Sequence, residues 1–104
     1  MSEPKRVLIT GGVRRLGLSL AKAFAAKGVR LALNHHSSPD EEAETSRREV
    51  LQAGASEVTL IKGDVTTEAA RIVAECAKAL GGIDVLINNA GILPPQRPFS
   101  ELSL

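Results

Sequence analysis

Aromatic residues are almost absent from this chain of 104 residues, which has two Phe and neither Tyr nor Trp. A tyrosine therefore cannot serve as an acid or a base here, and no set of aromatic rings is available to stack the bases of single-stranded nucleic acid. The formal net charge of +1 argues against nonspecific binding to a phosphate backbone. We expect no nucleic-acid partner.

Cysteine and long apolar runs are also scarce. Cys76 is the single cysteine, so the chain forms no internal disulfide and needs no oxidising compartment. No apolar run approaches the ~20 residues that cross a bilayer, and the first six residues do not form a signal peptide. With 43 % hydrophobic and 24 % charged residues, residues 1–104 are expected to form one small globular domain in the cytoplasm, with no membrane partner and no metal site.

Four short apolar runs alternate with three segments of helical periodicity. The runs predict buried strands at Val7–Ile9, Leu31–Leu33, Val58–Ile61 and Val85–Ile87. The helices are expected to begin near Leu16, at Pro39 and at Thr66, with Leu16, Leu20, Ala23 and Phe24 facing inward on the first and Ser38 as the N-cap of the second.

Strands that are apolar throughout belong to a parallel sheet covered on both faces. Right-handed crossovers then allow the strand order 3-2-1-4, which is the first half of a doubly wound sheet. The predicted fold class is a Rossmann-like three-layer α/β/α fold, truncated before its second half. Its fourth strand would be an apolar edge, so we expect the chain to self-associate through that edge or the uncovered sheet face, or to be only marginally folded.

A glycine-rich turn, Thr10-Gly11-Gly12-Val13-Arg14-Arg15-Leu16-Gly17, follows the first predicted strand. Gly11 permits a tight turn, and Gly17 lets the helix lie close to the strand or to a ligand. The N–H groups of the first helical turn then face an anion. Many such turns are only structural, and from the turn alone both interpretations stay open.

Asn88-Asn89-Ala90-Gly91 ends the fourth predicted strand, and Gly63-Asp64-Val65 follows the third. Together with the first turn, these motifs resemble the short-chain dehydrogenase/reductase family over essentially the whole chain. The resemblance implies a dinucleotide cofactor, with Asp64 and Val65 beside the adenine and with Asn89, Ala90 and Gly91 bordering the adenosine ribose. It also implies that Asn88 braces neighbouring strands. Asp64 has an alternative role as the cap of the third helix.

Arg15 occupies the position at which the family pattern has its middle glycine. This variant is similar to pteridine reductases and to some 3-oxoacyl-carrier-protein reductases, which implies a cation near the pyrophosphate and the adenosine ribose. Gly11, Arg14, Arg15, Leu16 and Gly17 are therefore candidate cofactor-binding residues. The alternative is that both arginines are solvated loop charges.

The end of the second strand, Asn34-His35-His36-Ser37-Ser38, contains no acidic residue. NAD-selective members carry an acid there to accept the ribose 2′-OH, so we expect NADP(H) rather than NAD(H). His35, His36 and Ser37 are candidate ligands of the 2′-phosphate, and a histidine beside it should gain charge. Both histidines are alternatively surface polar residues, and Ser38 is alternatively a helix cap.

The family's catalytic Ser and Tyr-x-x-x-Lys segment are not in this chain, and Ser100 and Ser103 lie in the wrong segment to be that serine. We therefore expect no catalytic residue here. The first hypothesis is that this chain is the NADP(H)-binding portion of an NADPH-dependent oxidoreductase, which reduces a carbonyl or pterin-type substrate. The alternative is a stand-alone nucleotide-binding or interaction module without redox activity.

Overall fold

The computed structural model describes residues 5–13 and 15–89. Strands and helices alternate within these residues as β1 (Arg6–Thr10), α1 (Arg15–Ala25), β2 (Arg30–His35), α2 (Asp40–Gln52), β3 (Glu57–Lys62), α3 (Val65–Leu80) and β4 (Val85–Asn88). All strand pairs are parallel, and the sheet order is β3-β2-β1-β4. The predicted fold class and strand order are confirmed. In the part of the chain described, no helix is both long and apolar enough to cross a membrane.

Helices α1 and α2 cover one face of the sheet, as right-handed crossovers in one direction require. The core on this face is made of aliphatic side chains from β1, β2, β3, both helices and the segments on either side of α1: Val7, Ile9, Val13, Ala21, Ala25, Val29, Leu31, Leu33, Ala43, Val50 and Val58. Much of it is alanine and valine, so each side chain removes little apolar area from water. The core is accordingly thin for a chain of this length.

Helix α3 crosses back and covers the other face. Ile72, Cys76 and Leu80 pack on Leu8 and Ala32 of the sheet. Cys76 is fully buried, as its place on the inner helix face predicts, and this burial raises the pKa of the thiol to about 11. The thiol is therefore protonated at neutral pH and serves as a small core residue.

Strand β4 lies at the edge of the sheet formed by the described residues. Asp84 anchors its start, because the backbone N–H and Nε of Arg6 donate to Asp84 Oδ2 at 2.8 and 3.0 Å. These bonds hold the pKa of the Asp84 carboxyl down at about 2. Leu86 points to the α3 face but is 54 % exposed, since α3 does not extend over it. An apolar edge and part of an apolar face are thus uncovered within this structure.

The first helix matches the expected inward face in part. Leu20 and Phe24 are half-buried and pack against the core, as predicted. The fully buried positions are instead Gly17, Ala21 and Ala25, because Gly17 must lie against Gly11 in the preceding turn, as described below. Leu16 is 63 % exposed and Ala23 is exposed as well, so the prediction that these two residues face the core was wrong.

The second helix begins one residue later than the capping pattern predicts. Pro39, with φ −58° and ψ 149°, is the N-cap, and its carbonyl oxygen accepts the first helical hydrogen bond from the N–H of Ala43 at 3.0 Å. Asp40 is the first helical residue. Ser38 is thus not the cap, and its buried side chain is placed at the end of the sheet instead.

Candidate functional site

A cleft of about 510 Å³ opens at the carboxyl ends of the strands, where parallel sheets of this topology bind ligands. Its walls come from the β1–α1 turn, the segment after β2, the segment after β3 and the end of β4. The lining residues are Gly11, Val13, Arg15, Leu16, Asn34, His35, His36, Ser37, Ser38, Gly63, Asp64, Val65, Thr66 and Asn89.

Most of the candidate residues named from the sequence meet in this cleft. Those that line it are Gly11, Arg15, Leu16, His35, His36, Ser37, Asp64, Val65 and Asn89. Gly17 lies behind the turn and is not among the lining residues. Arg14, Ala90 and Gly91 lie outside the described residues. The sequence analysis did not anticipate Val13, Asn34, Gly63 or Thr66, and it treated Ser38 chiefly as a cap.

The glycine-rich turn is closed by tight backbone contacts. Gly11 adopts a φ of 65°, and the N–H of Gly12 donates to the carbonyl oxygen of Asn34 at 3.0 Å. A Cβ on Gly17 would overlap the carbonyl oxygen of Gly11 and lie 2.6 Å from Nδ2 of Asn89. Gly17 therefore permits the close packing of α1 on the turn, which is one of the two roles that the sequence allowed.

Arg15 begins α1 with a φ of 49°, the left-handed region that L-residues avoid at about 1–2 kcal/mol. This explains why the family pattern has glycine at this position. Arg15 and Leu16 are both exposed and both line the cleft. The turn thus presents one cation and one apolar side chain to a ligand.

Asn34 closes the floor of the cleft from within the sheet. It is 2 % exposed, and its Nδ2 donates to the carbonyl oxygens of Ile61 and Gly63 at 3.1 and 3.0 Å. These bonds hold the end of β3 to β2. A polar residue directly after the apolar run Leu31–Leu33 was the available signal for this role, but the sequence does not reveal which carbonyls it meets.

His35 is buried, so the alternative interpretation of it as a surface polar residue was wrong. It is 5 % exposed, and its Nδ1 has no hydrogen-bond partner within the described residues. Burial lowers the pKa of His35, although the nearby Asp40 carboxylate opposes the effect and Lys62 adds to it. His35 is therefore neutral at pH 7, and its unpartnered Nδ1 is buried behind the wall of the cleft.

His36 and Asp64 face each other across the cleft, with His36 Nε2 3.7 Å from Asp64 Oδ2. Asp64 is also the N-cap of α3, since its Oδ1 accepts the hydroxyl and the backbone N–H of Thr66 at 2.7 and 2.9 Å. The Thr66 hydroxyl, followed by its N–H, lowers the pKa of Asp64. The capping role is present, and Oδ2 of the ionised carboxylate still faces the cleft.

Thr10 joins the first motif to the last. Its hydroxyl donates to Oδ1 of Asn88 at 3.1 Å and accepts the backbone N–H of Asn89 at 2.8 Å. Asn88 therefore braces β4 against β1, as the resemblance implies. Asn89 lines the cleft, and its Nδ2 reaches the carbonyl oxygen of Gly11 at 3.4 Å.

The side chains that line the cleft are suited to binding a ligand. Arg15 supplies a positive charge, Ser37 a hydroxyl and Asp64 a carboxylate, while Leu16 and Val65 supply apolar surface. These groups suit a ligand that combines an anion, hydroxyls and a flat apolar ring.

The sequence model described as short chain dehydrogenase matches residues 5–104. The chain belongs to the short-chain dehydrogenase family. An uncharacterized oxidoreductase of Thermotoga maritima is 34 % identical over 107 residues, covering 97 % of this chain and 41 % of that protein.

Solved structures of short-chain dehydrogenase relatives share the fold. The NADH-dependent reductase A1-R′ complexed with NAD has a TM-score of 0.78 and 32 % identity over 97 % of this chain and 42 % of that one. FolM Alternative dihydrofolate reductase 1 from Brucella canis, complexed with NADP, has a TM-score of 0.73 and 26 % identity over 85 % and 35 %. This chain spans about two-fifths of the length of the curated relatives it matches. Relatives of this fold thus bind nicotinamide dinucleotides of both kinds.

Proposed function

We propose that this chain is the NADP(H)-binding portion of an oxidoreductase of the short-chain dehydrogenase family, and that residues 1–104 form a single dinucleotide-binding domain. The cleft takes the adenosine half of the cofactor, with the adenine beside Asp64 and Val65 and the ribose beside Asn89, Ala90 and Gly91. The family membership and the cofactor-bound relatives favour this function over a module without redox chemistry.

The observation that carries the proposal is the conformation of Arg15. A left-handed φ of 49° is unfavourable for arginine and readily adopted by glycine. Strain of this kind is characteristic of functional sites, where the surroundings hold it in place. A role of Arg15 in binding accounts for the strain, because a guanidinium at the wall of the cleft can pair with a phosphate through two parallel hydrogen bonds. Arg14 is a second candidate cation in the same turn.

The preference for NADP(H) over NAD(H) rests on the segment after β2. His35, His36 and Ser37 line the cleft there, and none of them is an acid that would repel a 2′-phosphate. A histidine of this segment that faces the 2′-phosphate would pair with it. Because an adjacent dianion favours the protonated imidazole, binding of NADPH should be accompanied by uptake of a proton.

The substrate of the whole protein is proposed to be a carbonyl or a pterin-type compound. One of the similar solved structures is named as an alternative dihydrofolate reductase, and this supports a pterin-type substrate. We further propose a cytoplasmic location, which the lone buried thiol of Cys76 permits, and self-association of this chain through β4 or the face around Leu86.

The chain supplies cofactor binding and not proton transfer in this proposal, because it contains no tyrosine. We predict that it does not oxidise NADPH above background in the presence of ketones, quinones or pterins. The measurement is the loss of NADPH absorbance over time. Turnover at an ordinary enzyme rate, about 1 per second or more, would show that the chemistry has been assigned wrongly.

Calorimetric titration tests the cofactor assignment directly. The chain should bind NADPH and 2′-phospho-ADP-ribose more tightly than NADH and ADP-ribose, and NADPH titrations in buffers of different ionisation enthalpy should reveal the proton uptake. A matched pair, NADPH and NADH, differs only in the 2′-phosphate. Equal or tighter binding of NADH would overturn the NADP(H) preference, and no binding of either would overturn the proposal as a whole.

A further inference from the structure

Ser46, in the middle of α2, makes a buried contact with the glycine-rich turn. It is 4 % exposed, and its Oγ donates to the carbonyl oxygen of Val13 at 2.8 Å. The other buried residues of this helix are the apolar Ala43 and Val50. A hydroxyl among them is unfavourable unless it has a partner, and the partner here belongs to the wall of the cleft.

The carbonyl that Ser46 holds is two residues before Arg15. Val13 is itself 3 % exposed and packs into the core with α1 and α2. Val13, Arg15 and Ser46 also border a common groove of about 520 Å³ between these two helices. The Ser46 bond therefore lies beside the residue with the left-handed backbone, and not at the far end of the turn.

The turn has separate attachments to the protein at its start and in its middle. The N–H of Gly12 donates to Asn34 in β2, which holds the start. Ser46 holds the middle from α2. A residue in the left-handed region keeps that conformation only while its surroundings restrain it, and Ser46 restrains the turn from the α2 side.

We propose that Ser46 is a positioning residue for the cofactor site. By holding the carbonyl of Val13, it fixes the turn, keeps Arg15 in the left-handed conformation and directs the guanidinium toward the 2′-phosphate. Ser46 thereby contributes to discrimination between NADP(H) and NAD(H) without touching either. The part that concerns cofactor selectivity rests on the proposed function, whereas the effect on the turn does not.

The primary test compares Ser46→Ala with two controls on the same helix. Ser46→Ala should weaken NADPH binding about tenfold and NADH binding less than about twofold, measured by calorimetry at a temperature at which circular dichroism shows each variant folded. Thr45→Ala removes an exposed hydroxyl that donates to the backbone carbonyl oxygen of Glu41 within α2, and it should change neither affinity. Val50→Ala destabilises α2 through its core contacts and should leave the NADPH-to-NADH ratio unchanged.

A loss of selectivity in Val50→Ala equal to that in Ser46→Ala would overturn the proposal, because general stability would then explain both. If Ser46→Ala does not fold, Ser46→Cys takes its place, since a thiol has nearly the same shape and is a weaker donor. Its NADPH-to-NADH ratio should fall in the same direction, and an unchanged ratio would equally overturn the proposal.

A double-mutant cycle with Arg15→Gly asks whether Ser46 acts through Arg15. In the Arg15→Gly background, Ser46→Ala should alter NADPH affinity less than about twofold, since no guanidinium remains to be directed. An undiminished tenfold effect would show that Ser46 acts by another route and would contradict the proposal.

Amide hydrogen exchange tests the role of Ser46 in the turn independently of whether the chain binds a dinucleotide. Without ligand, Ser46→Ala should speed exchange of the Gly12 N–H, which reports on closure of the turn, and Thr45→Ala should not. If the unmutated chain binds no dinucleotide, the proposed function fails and this exchange measurement decides the role of Ser46. If it binds NADPH selectively and Ser46→Ala alters neither exchange nor selectivity, the role of Ser46 fails alone.

Discussion

The hydroxyl of Thr10 accepts the backbone N–H of Asn89 at 2.8 Å, although 79 positions separate them in the chain. The same oxygen donates to Oδ1 of Asn88. One buried atom at the end of β1 thus aligns the glycine-rich turn with the end of β4. The two neighbouring motifs at this wall of the cleft are held in register by this side chain.

Replacement of Thr10 by Val should lower the free energy of unfolding by about 1–3 kcal/mol, because the N–H of Asn89 and the amide oxygen of Asn88 lose a partner while the shape of the side chain is kept. Urea denaturation measures the change. Thr10→Ser retains the hydroxyl and is the matched control, with a smaller loss expected. A Thr10→Val protein as stable as the unmutated chain would show that the hydroxyl does not hold the two motifs together.

The strand order and the position of the cleft follow from local patterns in the sequence. Apolar runs without alternation identify buried parallel strands, and the handedness of the crossovers then leaves few topologies. The motifs at Gly11, Asp64 and Asn89 each follow a predicted strand, so a parallel sheet necessarily brings them to one edge. These features depend on the chain's own periodicity and not on distant contacts.

Other parts of the site depend on contacts between distant segments. His35 is buried because α2 and the end of β3 pack around it, and Ser46 meets Val13 only once α2 lies on α1. Ser38 is buried at the cleft and does not cap α2, which begins after Pro39. No short-range pattern contains this information.

The backbone strain at Arg15 predicts opposite effects on stability and on binding. Arg15→Gly should raise the free energy of unfolding by about 0.5–1 kcal/mol, because relief of about 1–2 kcal/mol of left-handed strain exceeds the entropy that glycine adds to the unfolded chain. It should weaken NADPH binding by about 1–3 kcal/mol through loss of a charge-assisted hydrogen bond. Urea denaturation and calorimetry measure the two effects.

Arg15→Ala is the control that separates the two contributions. It removes the guanidinium and keeps a Cβ at the left-handed φ, so it should weaken NADPH binding as Arg15→Gly does and give no gain in stability. A gain in stability for Arg15→Ala would mean that charge and not backbone conformation is responsible. Unchanged NADPH affinity in both variants would remove Arg15 from the site.

Burial of His35 predicts a loss of stability in mild acid. Since the pKa of His35 is lowered from its ordinary value of 6.5, the unfolded chain binds a proton below that pH which the folded chain does not. The free energy of unfolding should therefore fall as the pH drops below about 6.5, by at most about 1.4 kcal/mol per pH unit from this group. Urea denaturation at a series of pH values measures the slope.

His35→Gln should reduce that slope, because the group that titrates is gone. His36→Gln is the control, since His36 is a neighbouring histidine whose side chain is exposed. If the two variants have the same slope below pH 6.5, the burial of His35 does not govern acid sensitivity.

The uncovered edge of the sheet predicts self-association. Leu86 is 54 % exposed on β4, whose outward backbone groups offer a template for another strand. Analytical sedimentation at micromolar concentration should detect species larger than a monomer. Leu86→Lys should shift them toward the monomer, because a charge on an edge strand must be desolvated when a second strand or face covers it.

Leu16→Lys is the matched control for that experiment, because Leu16 is similarly exposed but lies on α1 at the cleft and not on the edge strand. It should leave the sedimentation profile unchanged. A shift as large as that of Leu86→Lys would place the contact at the cleft, where a bound dinucleotide would then compete with it. A compact monomer that melts cooperatively in the unmutated chain would contradict self-association altogether, and would show that this thin core supports the sheet without cover on its outer strand.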